Sequence, residues 1–171
     1  KKVENDVKDM EIKLILKKNL SNLIILFIIF FLDRISKYII LNQSLTQNEF
    51  NYSVTTFLDF NLVWNSGIAF GLFSFDQNIY YNLITSIIVS VTLILIWLAL
   101  KSQGLEKISF LMIIGGSLGN IFDRLYYSSV IDFIDINYNN FHWFIFNVAD
   151  IFISLGVIIL IILEFLKPKK Q

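Results

Sequence analysis

Four long apolar runs constrain this chain more than any other feature of its sequence. Each approaches the roughly 20 residues that a helix needs to cross the hydrocarbon core of a bilayer. The runs cover residues 20–41, 80–100, 108–125 and 146–166. The composition agrees, because 56% of the 171 residues are hydrophobic and only 16% are charged. The sequence therefore predicts an α-helical membrane protein with four transmembrane helices.

Basic residues are concentrated in alternate connections between these runs. They precede the first run, separate the second from the third and follow the fourth, and they include Lys13, Lys17, Lys18, Lys101, Lys107, Lys167, Lys169 and Lys170. Residues 42–76 and 126–145 contain neither Lys nor Arg. Since short basic connections remain in the cytoplasm, we expect both termini to lie inside and these two connections to lie outside.

The connection after the first run predicts strands rather than another helix. Its sequence from 50 to 74, FNYSVTTFLDFNLVWNSGIAFGLFS, is rich in Phe, Val, Thr and Trp and alternates in part between polar and apolar residues. Such a pattern is typical of β-strands. We therefore expect a small extracytoplasmic β-sheet between helices 1 and 2, formed within an outer β region that spans residues 44–74.

The predicted organisation is one membrane domain with two cytoplasmic ends. Residues 20–166 form the four-helix domain, which includes the outer β region, and residues 167–171 form a short cytoplasmic tail. Residues 1–19 are predicted to be a cytoplasmic N-terminal segment. Residues 1–9 within it are interpreted as an upstream extension, because Met10 offers a more natural start.

The scarcity of Cys and His limits the chemistry that the chain can perform. The sequence has no Cys and a single His, His142, so we expect no thiol nucleophile, no metal centre and no cofactor. The formal net charge is zero, and no basic stripe is interleaved with aromatic residues, which argues against nucleic acid as a partner. Chemistry must therefore rest on carboxylates, amides and hydroxyls.

The polar residues of the apolar runs fall at one predicted depth. With a rise of about 1.5 Å per residue, they lie toward the outer ends of the helices: Asp33, Lys37, Asn120, Asp123, Arg124, Asn147 and Asp150, with Asp132 in the connection before the fourth run. Asp33 and Lys37 are four residues apart, which predicts a structural ion pair. Asn147 fits the cap of the fourth helix. We expect Asp135 to be solvated and His142 to be an interfacial residue without a chemical role.

Asp132 and Asp150 are the two acids of this group that lack an evident partner. Ionisable groups at membrane depth are costly and mark functional sites. Two carboxylates that approach closely share one proton, so that one can activate water while the other polarises a carbonyl. Arg124 could pair with one of these acids or hold an anionic head group, and the sequence leaves both roles open.

Two other classes of protein are alternatives. A small proton-coupled membrane transporter would also place acids within the bilayer, but it predicts polar residues through the whole membrane depth. The inner halves of the four runs carry few polar residues apart from hydroxyls and Glu164. A lipid-binding scaffold held through Arg124 would explain the basic residue but not two acids.

Five motifs, in order over residues 20–166, strongly resemble those of lipoprotein signal peptidase, also called signal peptidase II. They are LDRISK with Asp33 and Lys37, NSGIAFG beginning at Asn65, GGSLGNIFDR ending at Arg124, VIDF with Asp132, and FNVAD ending at Asp150. The sequence departs from this family at Arg34, where Gln is frequent, at Ser36, where Thr is frequent, and at Ser129, where Gly is common.

The resemblance implies an intramembrane aspartyl endopeptidase of the bacterial cytoplasmic membrane, with its active site toward the outer face. Such an enzyme removes the signal peptide from diacylglyceryl-modified prolipoproteins and cuts before the lipidated Cys. The resemblance assigns catalysis to Asp132 and Asp150, and substrate-binding or supporting roles to Asn65, Asn120, Asp123, Arg124 and Asn147. Asp132 is preferred to Asp123 as the partner of Asp150, because Asp123 directly precedes Arg124 in a packed helix end. The expected partners are prolipoprotein substrates and membrane phospholipids, and we expect a monomer.

Overall fold

The computed structural model describes residues 2–45, 51–67, 77–138 and 141–167. Four helices and four strands follow one another along the chain. They are α1 (Lys2–Ser44), β1 (Asn51–Thr55), β2 (Leu58–Asn65), α2 (Gln77–Lys101), α3 (Gly104–Tyr127), β3 (Val130–Tyr138), β4 (Phe141–Phe146) and α4 (Val148–Leu166).

Three helices among the described residues are long and apolar enough to cross a membrane. These segments are Ile79–Lys101, Gly104–Tyr127 and Val148–Leu166, and they correspond to the second, third and fourth predicted runs. The first run lies within α1, where Asp33, Arg34 and Lys37 interrupt the apolar sequence. The crossing of the membrane by α1 therefore stays a prediction.

Helix α3 is the central helix of the bundle and packs against α1, α2 and α4. Glycines allow this close approach. A Cβ atom added at Gly116 would lie 2.5 Å from the backbone oxygen of Ala149 on α4, and one at Gly115 would lie 2.9 Å from Ile29 on α1. Small residues at helix interfaces are typical of membrane bundles. The segment GGSLGN therefore lets both α1 and α4 pack closely against α3.

The outer sheet is larger than the sequence predicts. It has four antiparallel strands in the order β1-β2-β3-β4, and only β1 and β2 lie between the first two helices. The other half comes from residues 130–146, which we expected to be a connection followed by the start of a helix at Phe146. The segment VIDFIDI places an acid at every third position, so its apolar residues do not alternate strictly, and this weakens the strand signal. Residues 46–50 and 68–74 of the predicted outer β region lie outside the described residues.

A small apolar cluster joins the sheet to the helices. Ile40 of α1 packs with Ile131 and Phe133 of β3, all at most 5% exposed. Phe60 of β2 lies against Phe133 with its ring centroid 6.0 Å away. Burial of these side chains stabilises the contact of β3 with the C-terminal end of α1. The start of β3 is thereby fixed near the start of α4, where the candidate acids lie.

Candidate active site

The side chain of Asn147 connects the two predicted catalytic acids. Its Nδ2 donates to Asp132 Oδ1 at 2.6 Å, and its Oδ1 accepts from the backbone N–H of Asp150 at 3.1 Å. The backbone N–H of Asn147 donates in turn to Asp150 Oδ2 at 3.1 Å. Asn147 and Asp150 therefore form a capping box at the start of α4. The cap that begins the helix also sets the relative position of the two carboxyl groups.

Asp132 is buried at the beginning of β3 and accepts hydrogen bonds at both oxygens. Besides the bond from Asn147, Asn65 Nδ2 donates to Asp132 Oδ2 at 2.8 Å. Burial raises the pKa of Asp132 to about 6, and the negative charge of Asp150 contributes to the rise, while the hydrogen bonds from Asn65 and Asn147 oppose it. Asp132 therefore takes up a proton far more readily than an ordinary aspartate.

The side-chain amide of Asn120 donates to Asp150, and Lys37 fixes the orientation of that amide. Asn120 Nδ2 donates to Asp150 Oδ1 at 2.8 Å, and Lys37 Nζ donates to Asn120 Oδ1 at 3.0 Å. Because the lysine is a donor only, the amide oxygen faces Lys37 and the amide nitrogen faces Asp150. Asp150 therefore receives donors at both oxygens and also lies at the positive end of the α4 dipole.

A buried cluster of four charged side chains lies behind Asn120. Lys37 Nζ lies 3.0 Å from Asp33 Oδ1 and 2.6 Å from Asp123 Oδ2, so all three of its N–H groups have acceptors. Arg34 lies 2.6 Å from both Asp33 Oδ2 and Asp123 Oδ1 and also donates to the backbone oxygen of Gly119. Two acids thus meet two cations, and the cluster is neutral. Asp33, Lys37 and Asp123 are at most 1% exposed.

This cluster also holds the two chain segments that carry the candidate acids. Asp123 Oδ2 accepts from the backbone N–H of Ile131 at 3.2 Å, and Asp33 Oδ1 accepts from the backbone N–H of Ala149 at 3.1 Å. Ile131 and Ala149 each directly precede one of the candidate acids. Asp123 therefore contacts the segment that carries Asp132, while its ion-pair partners are Arg34 and Lys37 on α1.

Arg34 is the residue of this region that sequence reasoning missed. In the sequence Arg34 stands out only as a departure from the family pattern, and the four-residue spacing predicts an ion pair of Asp33 with Lys37 alone. The balance of buried charges is the signal that could have identified Arg34. Two buried acids, Asp33 and Asp123, require two cations to be neutralised, and Arg34 supplies the second positive charge.

Arg124 points free donors toward the same region as the acids. It is 9% exposed, and its Nε and Nη1 are buried without a hydrogen-bond partner in the described part of the chain. Its guanidinium lies over the ring of Tyr81, 5.4 Å from the centroid, and a Cβ at Gly67 would lie 3.1 Å from Nη2. Buried donors without acceptors are costly, so Arg124 is poised to bind a carbonyl or an anion of a ligand.

The candidate acids and their polar neighbours line one cavity of about 410 Å³. Its polar lining consists mainly of Asn65, Asn120, Arg124, Asp132 and Asp150. Its apolar wall comes chiefly from α2, through Ile87, Ile88, Val91 and Leu95, with Ile113 and Ile153 opposite. Five of the seven predicted catalytic and binding residues line this cavity, whereas Asn147 and Asp123 lie behind it. An apolar cavity with a few converging polar groups is typical of a ligand site.

Asp135 differs from its prediction, and His142 contacts it. Asp135 is fully buried rather than solvated, and its Oδ2 accepts from Asn61 Nδ2 at 2.7 Å. His142 Nδ1 lies 2.7 Å from the same oxygen, and the expectation that His142 is an interfacial residue without a chemical role stays a prediction. The error follows from the missed strands, because β3 and β4 place these two residues on neighbouring strands. They do not line the cavity that contains Asp132 and Asp150.

A family model and named relatives match most of the chain. A family model described as signal peptidase (SPase) II matches residues 25–166. The chain is 43% identical over 159 residues to the lipoprotein signal peptidase of Pelagibacter ubique (strain HTCC1062), covering 93% of this chain and 96% of that protein. It is 38% identical to the lipoprotein signal peptidase of Francisella tularensis subsp. novicida (strain U112), covering 92% and 99%.

Solved structures agree with these relatives. A bacterial membrane enzyme determined by the in meso method at 1.9 Å resolution is 27% identical, with a TM-score of 0.70 over 87% of this chain and 94% of that chain. A second such structure, at 2.3 Å resolution, gives a TM-score of 0.67 over 88% and 93%. The comparisons give no support to the transporter alternative. With the family model and the relatives covering most of its length, the chain belongs to the signal peptidase II family.

Proposed function

We propose that this protein removes the signal peptide from diacylglyceryl-modified prolipoproteins, cutting before the lipidated Cys, and that Asp132 and Asp150 perform the hydrolysis. The relatives named lipoprotein signal peptidase support the reaction and the substrate class. The observation that carries the assignment of residues is the position of both carboxyl groups on one cavity, joined by the side chain of Asn147.

Asp150 is proposed as the general base and Asp132 as the general acid. Asp150 lies in the first turn of α4, where the helix dipole favours its ionised form, whereas Asp132 lies on β3, away from that helix end, and burial raises its pKa to about 6. Asp150 takes a proton from water, the hydroxyl oxygen attacks the scissile carbonyl carbon, and Asp132 gives its proton to the carbonyl oxygen. When the C–N bond breaks, Asp150 gives its proton to the leaving nitrogen, and Asp132 regains the proton of the collapsing hydroxyl.

The other polar groups of the cavity are proposed to hold the substrate backbone. Arg124 has two buried donors without partners among the residues that the structure describes, and these would bind a peptide carbonyl next to the scissile bond. Asn65 and Asn120 keep the acids in place and border the same space. The apolar wall formed by α2 suits the signal peptide and the acyl chains of the lipidated Cys, because both must remain in a hydrocarbon environment.

We further propose a cytoplasmic membrane location with both termini in the cytoplasm and the site at the outer face. The distribution of lysine residues supports this orientation. A monomer surrounded by phospholipids is sufficient for the proposed reaction, because every group named above belongs to one chain. A reporter fused after Gln171 should be cytoplasmic, and one inserted between residues 42 and 48 should be external. An internal signal from the second reporter would contradict this orientation.

Cleavage of a lipidated substrate is the test of the function. Purified protein in detergent should shorten a diacylglyceryl-modified prolipoprotein by the length of its signal peptide, as measured by mass spectrometry. The same prolipoprotein with its Cys replaced by Ser, which cannot be lipidated, should remain intact. Proton flux into liposomes containing the protein should not exceed that of empty liposomes. Flux without cleavage would instead support a transporter.

A further inference from the structure

A second cavity lies at the opposite end of the bundle from the candidate active site. It has a volume of about 380 Å³ and is enclosed by α1, α2 and α3. Leu23 and Leu26 of α1 and Ile96 and Ala99 of α2 form two of its walls. On the predicted topology these residues lie in the inner half of the membrane. None of them lines the cavity that contains the candidate acids.

The α3 wall of this inner cavity has the length of one membrane leaflet. It consists of Lys107, Leu111, Ile114 and Leu118, which share one face of the helix because they are spaced by three or four residues. Eleven residues separate Lys107 from Leu118, a rise of about 16 Å. Half of a hydrocarbon core of roughly 30 Å has nearly the same length. The wall therefore reaches from the cytoplasmic interface to about the middle of the bilayer.

The inner end of this cavity carries a positive charge without an anionic partner. No carboxylate forms an ion pair with Lys107 among the side chains that the structure describes. Two other lysines at this end, both with described side chains, differ. Lys167 lies 2.8 Å from Glu164 Oε2, and Lys101 stacks on the ring of Trp97 at 3.5 Å. Asn22 adds an amide to the cavity lining, so a cation and a hydrogen-bonding group border an apolar groove.

We propose that this inner cavity binds an anionic phospholipid of the cytoplasmic leaflet. The phosphate would be bound by Lys107 and Asn22, and one acyl chain would lie along the apolar face between Leu111 and Leu118. A lysine close to the membrane surface attracts anionic lipid by about 1 kcal/mol, while the groove provides a surface for one chain. The site lies outside the peptidase cavity, and its occupation by lipid does not depend on the proposed reaction.

Lipid retention and lipid-dependent stability test this proposal. The full-length protein is purified in detergent, and phosphatidylglycerol or phosphatidylcholine of identical acyl composition is added before native mass spectrometry and thermal unfolding. We expect one phosphatidylglycerol to be retained at concentrations at which phosphatidylcholine is not, and Tm to rise only with phosphatidylglycerol. Inorganic phosphate at the same concentration should leave Tm unchanged, because it cannot occupy the apolar groove.

Matched lysine variants locate the site. Lys107→Gln should weaken phosphatidylglycerol binding about fivefold, the change expected for one lysine at the interface, and Lys107→Arg should retain it. Lys101→Gln removes a charge from the same end of the bundle but outside the cavity, and should bind as the original protein does. Peptidase activity of each lysine variant serves as a control for its folding. Equal retention of both lipids, or equal effects of Lys107→Gln and Lys101→Gln, would overturn the proposal.

Discussion

The side chain of Asp123 accepts a hydrogen bond from the backbone N–H of Ile131 at 3.2 Å. Ile131 directly precedes Asp132, so a carboxylate on α3 determines where β3 presents its acid. Asp33 acts in the same way on α4, because it accepts from the backbone N–H of Ala149. The buried ion cluster is therefore hydrogen-bonded to the segments that carry the candidate catalytic pair. Substitutions that disturb the cluster should also displace the two acids.

Replacing Lys37 by Met should destabilise the protein. The variant keeps a similar side-chain length but leaves two buried acids with the single positive charge of Arg34. Removing one partner of a buried ion pair costs roughly 3–5 kcal/mol, so folded yield and Tm in detergent should fall. Lys101→Met serves as the control, since Lys101 stacks on the ring of Trp97 and lies outside the cluster. An unchanged Tm for Lys37→Met would show that the cluster does not stabilise the fold.

Gly119→Ala should disturb the same cluster by steric conflict. A Cβ atom at this position would lie 2.5 Å from Asp33 Oδ2, and adding a methyl group to a tightly packed site typically costs about 1–3 kcal/mol. We expect a lower Tm and a parallel loss of activity. Ser90→Ala on α2, where the side chain is exposed, should change neither quantity. If Gly119→Ala has the Tm of the original protein, α1 and α3 pack less closely than the structure indicates.

Arg124→Lys should impair substrate handling more than folding. The substitution keeps the positive charge but removes the planar group whose Nε and Nη1 have no acceptor within the described ranges of the chain. Loss of one hydrogen bond to a charged donor corresponds to roughly a tenfold decrease in kcat/KM, with little change in Tm. Kinetics with a lipidated peptide and thermal unfolding in the same detergent measure both quantities. Unchanged kcat/KM would remove Arg124 from the substrate site.

The raised pKa of Asp132 should make stability depend on pH. In the folded protein this pKa is about 6 and the ordinary value is 3.8, so the folded state binds more protons between these values. The free energy of unfolding contributed by this group is therefore highest below about pH 4 and decreases as pH rises toward 6, by up to roughly 3 kcal/mol. Asp132→Asn lacks this titrating group. The Tm of the variant minus that of the original protein should therefore increase as pH is raised from 4 to 7. A constant difference in Tm across this range would contradict the raised pKa.

The helices, and the meeting of Asp132 and Asp150 at one cavity, could be predicted from sequence because their signals are local. Apolar runs reveal spanning segments, and motifs such as FNVAD and GGSLGNIFDR identify residue types at fixed spacing. The second half of the sheet could not be predicted in this way, because residues 130–146 form strands by pairing with β2, which is distant in sequence. Arg34 was missed for a related reason. Its partner Asp123 lies 89 residues away, and only the packing of α1 on α3 brings the two charges together.

The cleavage rate of a diacylglyceryl-modified prolipoprotein by Asp132→Asn and Asp150→Asn tests the central claim most directly. Each Asn preserves side-chain size but cannot exchange a proton, so each single variant should lose at least about 100-fold in rate. The double variant should be hardly slower than either single variant, since the two acids act as a unit. Asp59→Asn, in the same sheet but outside the cavity, should cleave normally. Cleavage near the original rate by either Asp132→Asn or Asp150→Asn would contradict the proposed catalytic pair.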